Sequence, residues 1–216
     1  MREQYADRIA LFVGFETERL PPGEWASRMR AVRASASFDY MVGSVHDIDG
    51  LVVDSTREET QAIAGRLGGI EPMQLRYFSA LTDLVETLKP EVVGHIDLIR
   101  KFDPPGTQFS PRVFKAIERT LDAVKAFGCV LDVNCGAWRR GLGPVYPLPA
   151  ILKRARAMGI RVTLGDDSHG VESVGVGLTA CLDAIRASGI ESVSYLMRVD
   201  GAVRWDEARL DDIAPR

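Results

Sequence analysis

The sequence has little of what marks a secreted, membrane-embedded or nucleic-acid-binding chain. Three cysteines, Cys129, Cys135 and Cys181, are spread over 216 residues. They are too few for a disulfide framework and lack metal-ligand spacing, so they read as reduced thiols of a cytoplasmic protein. No apolar run approaches the roughly 20 residues of a membrane span. The opening Met1-Arg2-Glu3-Gln4-Tyr5 has no signal-peptide pattern. Basic charge is not in excess: 27 Lys and Arg stand against 30 Asp and Glu, for a net charge of −3. Nucleic acid is therefore not the expected partner, and any phosphate would have to be met by a local arginine cluster or by metal ions. No Gly-x4-Gly-Lys-Ser/Thr loop occurs, which argues against a nucleotide kinase of that type. Cys135 has Gly141 rather than arginine at the sixth following position, which argues against a cysteine-dependent phosphatase. Cys135 reads instead as a small buried residue.

What is present suits one soluble domain over residues 1–216, with 46% hydrophobic and 26% charged residues. Short apolar runs rich in Val and Ile fall at 9–15, 38–45, 91–94, 129–133, 160–164 and 192–196. They show little strict alternation, as expected of parallel strands buried on both faces. Helical patterns lie between them at 72–88, 110–127, 149–158 and 176–187. The second opens with Ser110-Pro111, a cap followed by proline at the first helical position, and 149–158 ends at Gly159. Loops are read at Pro21-Pro22-Gly23 and at 103–106. The alternation predicts an α/β fold with a parallel sheet, open or closed into a barrel.

Four apolar runs end on or lead into ionisable residues. The first ends at Glu16, the second at His46, the third at His95, and the 160–164 run leads into Asp166-Asp167-Ser168-His169. A fifth ends at Asn134, followed by Arg139 and Arg140. In parallel α/β folds the C-terminal strand ends form the active face, so these residues are expected to converge. All three histidines of the chain sit in such positions. Imidazole and carboxylate together suit Zn, Mn or Fe, and such a site can activate water and clamp a phosphoryl group. The plainer reading is a set of hydrogen-bonded polar residues at loop starts. A guanidinium fork matches phosphate oxygens, which makes Arg139 or Arg140 a candidate phosphate contact.

These residues lie in strings that resemble the PHP family, particularly its histidinol-phosphatases of the fungal-like branch. The strings are Gly14-Phe15-Glu16, 38–46 ending in Gly43-Ser44-Val45-His46, 92–100 with Gly94-His95-Ile96-Asp97, Asp132-Val133-Asn134, Arg139-Arg140-Gly141 before Tyr146-Pro147, and Asp167-Ser168-His169-Gly170. The resemblance implies a distorted (β/α)7 barrel, three divalent metal ions at its C-terminal strand ends, and hydrolysis of L-histidinol phosphate in histidine biosynthesis. It implies metal ligation by Glu16, His46, His95, Asp167 and His169, with Glu16 bridging two ions and Glu16, Asp167 and His169 catalytic. Arg139 would contact the substrate phosphate. Family members also carry an N-terminal His-x-His strand, and no histidine precedes His46 here. The resemblance therefore implies an incomplete barrel without its first β/α units, one metal site complete in protein ligands, and weak phosphatase activity or a degenerate module. A separate alternative is a haloacid-dehalogenase-type phosphatase, with Asp47 as nucleophile and Asp49 as acid/base in Asp47-Ile48-Asp49-Gly50.

Overall fold

The computed structural model describes residues 3–19, 23–104, 106–141 and 145–213. The elements are β1 (Gly14–Glu18), α1 (Trp25–Ser35), β2 (Tyr40–Ser44), β3 (Asp47–Ile48), β4 (Leu51–Val52), α2 (Arg57–Arg66), α3 (Ile70–Leu88), β5 (Val92–Val93), α4 (Pro111–Phe127), β6 (Val130–Asn134), α5 (Gly136–Arg139), α6 (Pro149–Ala157), β7 (Val162–Gly165), α7 (Leu178–Ala187), β8 (Ser192–Val199) and β9 (Ala202–Arg209). Five strands form one parallel sheet in the order β1-β2-β5-β6-β7. Glu16 pairs with Val42, Val42 with Val92, and Asn134 with Gly165. Parallel pairing puts all five C-terminal ends on one side, which is where the ionisable residues lie. The parallel α/β architecture expected from the pattern is therefore the one observed.

The helices form for the reasons their ends announce. Ser110 Oγ accepts the Val113 N–H at 3.3 Å, Pro111 opens α4, and Gly128 closes it in the left-handed region at φ 69°. The apolar stripe of α3, with Tyr77, Phe78, Leu81 and Leu84 fully buried, packs on Ile117 and Leu121 of α4. Burial is continuous from these helices through Leu131 of β6 to Ile151 of α6 in a single hydrophobic cluster.

Two strand readings need correction. The run at 9–15 becomes a strand only from Gly14, and it continues to Glu18. Ile9 and Val13 are exposed at 56% and 44%, and Ile9, Leu11 and Phe12 line a cleft against the sheet. Their apolar character serves that wall, not a strand ladder. The run at 192–196 belongs to β8, which pairs antiparallel with β9 outside the parallel sheet. Asp200 and Gly201 join the two with φ of 50° and 79°, the left-handed pair that a two-residue hairpin turn requires. Helices α1 and α2 escaped the periodicity reading because their apolar stripes are thin; in α1 only Trp25 is buried. Pro21, Pro22 and Pro105 of the two expected loops lie outside the described residues.

Candidate functional site

Glu16 projects from the middle of β1, His46 follows β2 by two residues, and His95 follows β5 by two. Because these three strands are neighbours, the three side chains meet. Their ligand atoms all lie within 4.8 Å of one another. His95 Nε2 is 3.2 Å from Glu16 Oε1, and His46 Nε2 is 3.8 Å from the same oxygen. The two imidazoles meet edge to face, with ring centroids 5.0 Å apart. His95 is buried at 5%, while Glu16 remains half exposed toward a cleft. Gly94 permits this approach: a Cβ there would come within 2.6 Å of Ser44 Oγ. His95 itself holds a positive φ of 21°, which a residue with a side chain rarely adopts and which recurs at functional sites.

Burial works to raise the Glu16 carboxyl, but the hydrogen bond and charge of His95, with the charge of His46, outweigh it and hold the group at about 2. It is therefore a carboxylate at any physiological pH. Burial would likewise lower His46. The hydrogen bond to Glu18 and the charges of Glu18, Glu16 and Asp54 overcome this and raise its imidazole above the ordinary value. An anionic oxygen with two imidazole nitrogens is a donor set that fits a divalent transition metal.

The cleft encloses about 1050 Å³ and touches all five parallel strands. Its polar end carries Glu16, His95, Asp132, Asn134, Asp166 and Asp167; its other walls include Tyr40, Val42, Met197 and Trp205. Asp167, with a positive φ of 53°, thus lines the same cleft as Glu16 and His95 but stands outside their three-residue cluster. His169 is turned away: its side chain is 81% exposed, and its Nδ1 lies 2.9 Å from the Asp167 carbonyl oxygen. The structure does not bring His169 into the cluster.

Arg139 is also placed differently from expectation. Its Nη1 donates to Asp166 Oδ1 at 3.1 Å and to the Val176 carbonyl at 3.3 Å, and its Nη2 donates to the carbonyls of Asp166 and Asp167 at 2.6 and 2.9 Å. The guanidinium fork grips the loop that carries Asp167 and is not part of the cleft wall. Asp166 is the centre of that loop. Its Oδ2 accepts from Ser168 Oγ at 2.5 Å and from the Gly175 N–H at 2.9 Å. Burial opposes ionisation there, but these bonds and Arg139 keep the carboxyl below its usual value.

Three residues of the site were given no role by the sequence reading, although Asp97 and Asp132 stand in its motif strings. Glu18 accepts from His46 Nδ1 at 2.6 Å and from the His46 N–H at 3.0 Å. Asp132, buried in β6, accepts from the His95 N–H at 3.3 Å and from Asn134 Nδ2 at 3.0 Å. Burial pushes its carboxyl up to about 6. Asp97 forms a buried pair with Arg100 at 2.8 Å and accepts the Leu148 N–H at 2.9 Å, tying the loop after His95 to the segment before α6. The spacing Glu16-x-Glu18 on one strand was the available signal for the first, since alternate residues share a face.

Asp47 and Asp49 do not form a dehalogenase-type site. They occupy the β3–β4 hairpin, where Asp47 Oδ1 accepts the Gly50 N–H at 2.7 Å and Asp49 pairs with Arg76 at 2.8 Å. Asp49 and Gly50, at φ 55° and 84°, are the two turn residues. The Asp-x-Asp-Gly string is turn chemistry. Cys135 is fully buried, with its sulfur 2.8 Å from that of Cys181. Among the described residues no helix is long and apolar enough to cross a membrane.

No family model matches the sequence. A Schizosaccharomyces pombe protein named as a probable histidinol-phosphatase is 30% identical over 201 residues, covering 91% of this chain and 65% of that protein. A Deinococcus radiodurans protein of the same description is 26% identical, covering 92% of this chain and 72% of its own length. The histidinol-phosphatase of Saccharomyces cerevisiae is 25% identical, and the chain spans 63% of it. Among solved structures, a Listeria monocytogenes protein described as a putative histidinol phosphatase, HisK, superposes with a TM-score of 0.74 at 29% identity, over 82% of this chain and 71% of that one. The histidinol phosphate phosphatase of Lactococcus lactis, solved with Zn, L-histidinol and phosphate, shares the fold with a TM-score of 0.69 at 19% identity, over 89% of this chain and 72% of that one. The chain thus spans somewhat under two thirds of the length of the two yeast relatives. Sequence agreement across most of the chain and a shared parallel α/β fold point the same way: the chain is similar to histidinol-phosphatases, the branch of the PHP family that its motifs resemble.

Proposed function

We propose that this chain carries the metal-binding centre of a phosphoric monoester hydrolase whose substrate is L-histidinol phosphate. The observation that carries the reading is the meeting of Glu16, His46 and His95, two of which, Glu16 and His95, line a cleft large enough for a small phosphorylated molecule. The names of the relatives and the ligands of the Lactococcus lactis structure supply the substrate. A bound Zn, Mn or Fe ion would act as a Lewis acid toward a phosphoryl oxygen. Glu16 would hold it through a carboxylate already ionised at neutral pH, and His46 and His95 through their Nε2 atoms. Asp167 presents a second carboxylate across the same cleft, suited to a further cation or to a proton on attacking water. Arg139 sets the position of that carboxylate by gripping its loop; a direct bond to substrate phosphate would require it to exchange one of its present partners. The tyrosine, methionine and tryptophan of the cleft wall offer an apolar surface to the imidazole-bearing part of the substrate.

Titration calorimetry with Zn²⁺ and Mn²⁺, coupled to phosphate release from histidinol phosphate, tests the reading. The unmodified chain is expected to bind one ion at the Glu16–His46–His95 cluster, and Glu16→Gln and His95→Ala to lose it. Equal binding by all three proteins would remove the cluster from the mechanism.

A further inference from the structure

Glu18 lies two residues beyond Glu16, so both side chains leave β1 on the same face. Its carboxylate grips one residue at two points. Oε1 accepts the His46 backbone N–H at 3.0 Å, and Oε2 lies 2.6 Å from His46 Nδ1. The pair is largely shielded, with side-chain exposures of 25% and 29%. An ionised carboxylate can only accept, so the nitrogen facing it carries the proton. In the neutral ring this leaves the lone pair on Nε2, the atom that faces Glu16 at 3.8 Å. The second imidazole of the cluster has no such support: His95 Nδ1 is buried without a hydrogen-bond partner among the described residues, and close packing holds that ring. His46 is the more exposed of the two and so the one whose ring could otherwise turn.

We propose that Glu18 is a positioning residue of the metal cluster: it fixes His46 in the Nδ1–H tautomer and aims Nε2 into the site without itself being a ligand. The proposal rests on the metal reading above for its functional consequence, but not for the tautomer. Both oxygens of Glu18 are engaged by His46, and the three-residue ligand cluster does not include it. A carboxylate behind a ligating imidazole orients the ring and raises its basicity, and removing such a partner typically costs 10–100-fold in metal affinity.

The test has two arms on Glu18→Ala and Glu18→Asp. The first reads the His46 tautomer from imidazole ¹⁵N shifts in the metal-free protein, at a pH where the ring is neutral. The unmodified chain is expected to show Nδ1–H alone, Glu18→Ala a mixture of tautomers, and Glu18→Asp a partial return. The second measures Zn²⁺ affinity by competition with a chelator, where Glu18→Ala is expected to bind roughly 10–100-fold more weakly, with circular dichroism showing the fold retained. An unchanged tautomer in Glu18→Ala overturns the proposal, as does an unchanged Zn²⁺ affinity. A tautomer shift in a chain that binds no Zn²⁺ at all would uphold the orienting role of Glu18 and overturn the metal reading.

Discussion

At Gly165, the last residue of β7, the sheet leaves no space for a side chain. A Cβ there would overlap the Asp132 carboxylate on the neighbouring strand. That carboxylate is buried and already committed to the His95 N–H and to Asn134, so it has nowhere to retreat. Gly165→Ala is expected to destabilise the fold by at least about 1–3 kcal/mol, the usual range for overpacking. In a chain of this size that lowers the thermal midpoint by roughly 2–4 °C per kcal/mol, which scanning calorimetry would resolve. A midpoint equal to that of the unmodified protein would mean that Asp132 is free to move, and with it the support beneath His95.

At the scale of elements, caps and tight turns carry more information than apolar periodicity. Ser110 closes the start of α4 on the Val113 N–H and also bonds Glu71 in the first turn of α3, so one hydroxyl joins the two helices that build most of the core. Ser110→Ala should cost about 1 kcal/mol, the ordinary loss for a capping hydroxyl. Urea unfolding would show it as a lower midpoint with an unchanged slope. Both Asp-Gly pairs, Asp49-Gly50 and Asp200-Gly201, set hairpins, and of their four strands the apolar runs revealed only β8, through 192–196. In each case the turn residues were visible in the sequence. The alternative that took the first as catalytic carboxylates, and the reading of 192–196 as one more parallel strand, overlooked a local rule that favours Asp-Gly at paired left-handed positions.

For the whole molecule, titration of buried carboxyls links pH to stability. Burial pushes Asp103 up to about 6, although Arg100 and Arg57 pull it the other way. A carboxyl raised in the fold holds its proton more tightly there than in the unfolded chain. Its contribution to stability is therefore full below the unfolded value near 3.8, and is lost as pH rises through about 6. Asp103→Asn removes that loss. The variant should match the unmodified chain near pH 4 and exceed it in thermal midpoint at pH 7–8, in a comparison that cancels the titration of every other group. A variant less stable at pH 8 would show that the attraction of Arg100 and Arg57 outweighs burial. The same scale explains why the site forms at all: three adjacent parallel strands, one carrying Glu16 and two leading within two residues into His46 and His95, bring the three side chains to one mouth.

The sequence by itself determined the alternation of strand and helix, the N-cap of α4, and the positions of His46, His95 and Asp167 just past the C-terminal ends of their strands, with Glu16 on the first strand. These follow from local propensity and from strand direction, which short-range pattern can express. It did not determine where side chains turn once there. His169 follows Asp167 by two residues yet points to solvent, and Arg139 spends its fork on loop carbonyls 27 and 28 residues away. Glu18 reaches His46 across 28 residues, and Asp132 reaches the His95 N–H across 37. Such pairings exist only after distant segments pack, because hydrogen-bond partners are chosen by proximity in space. Tertiary structure therefore decided which of the expected residues form one cluster and which only support it.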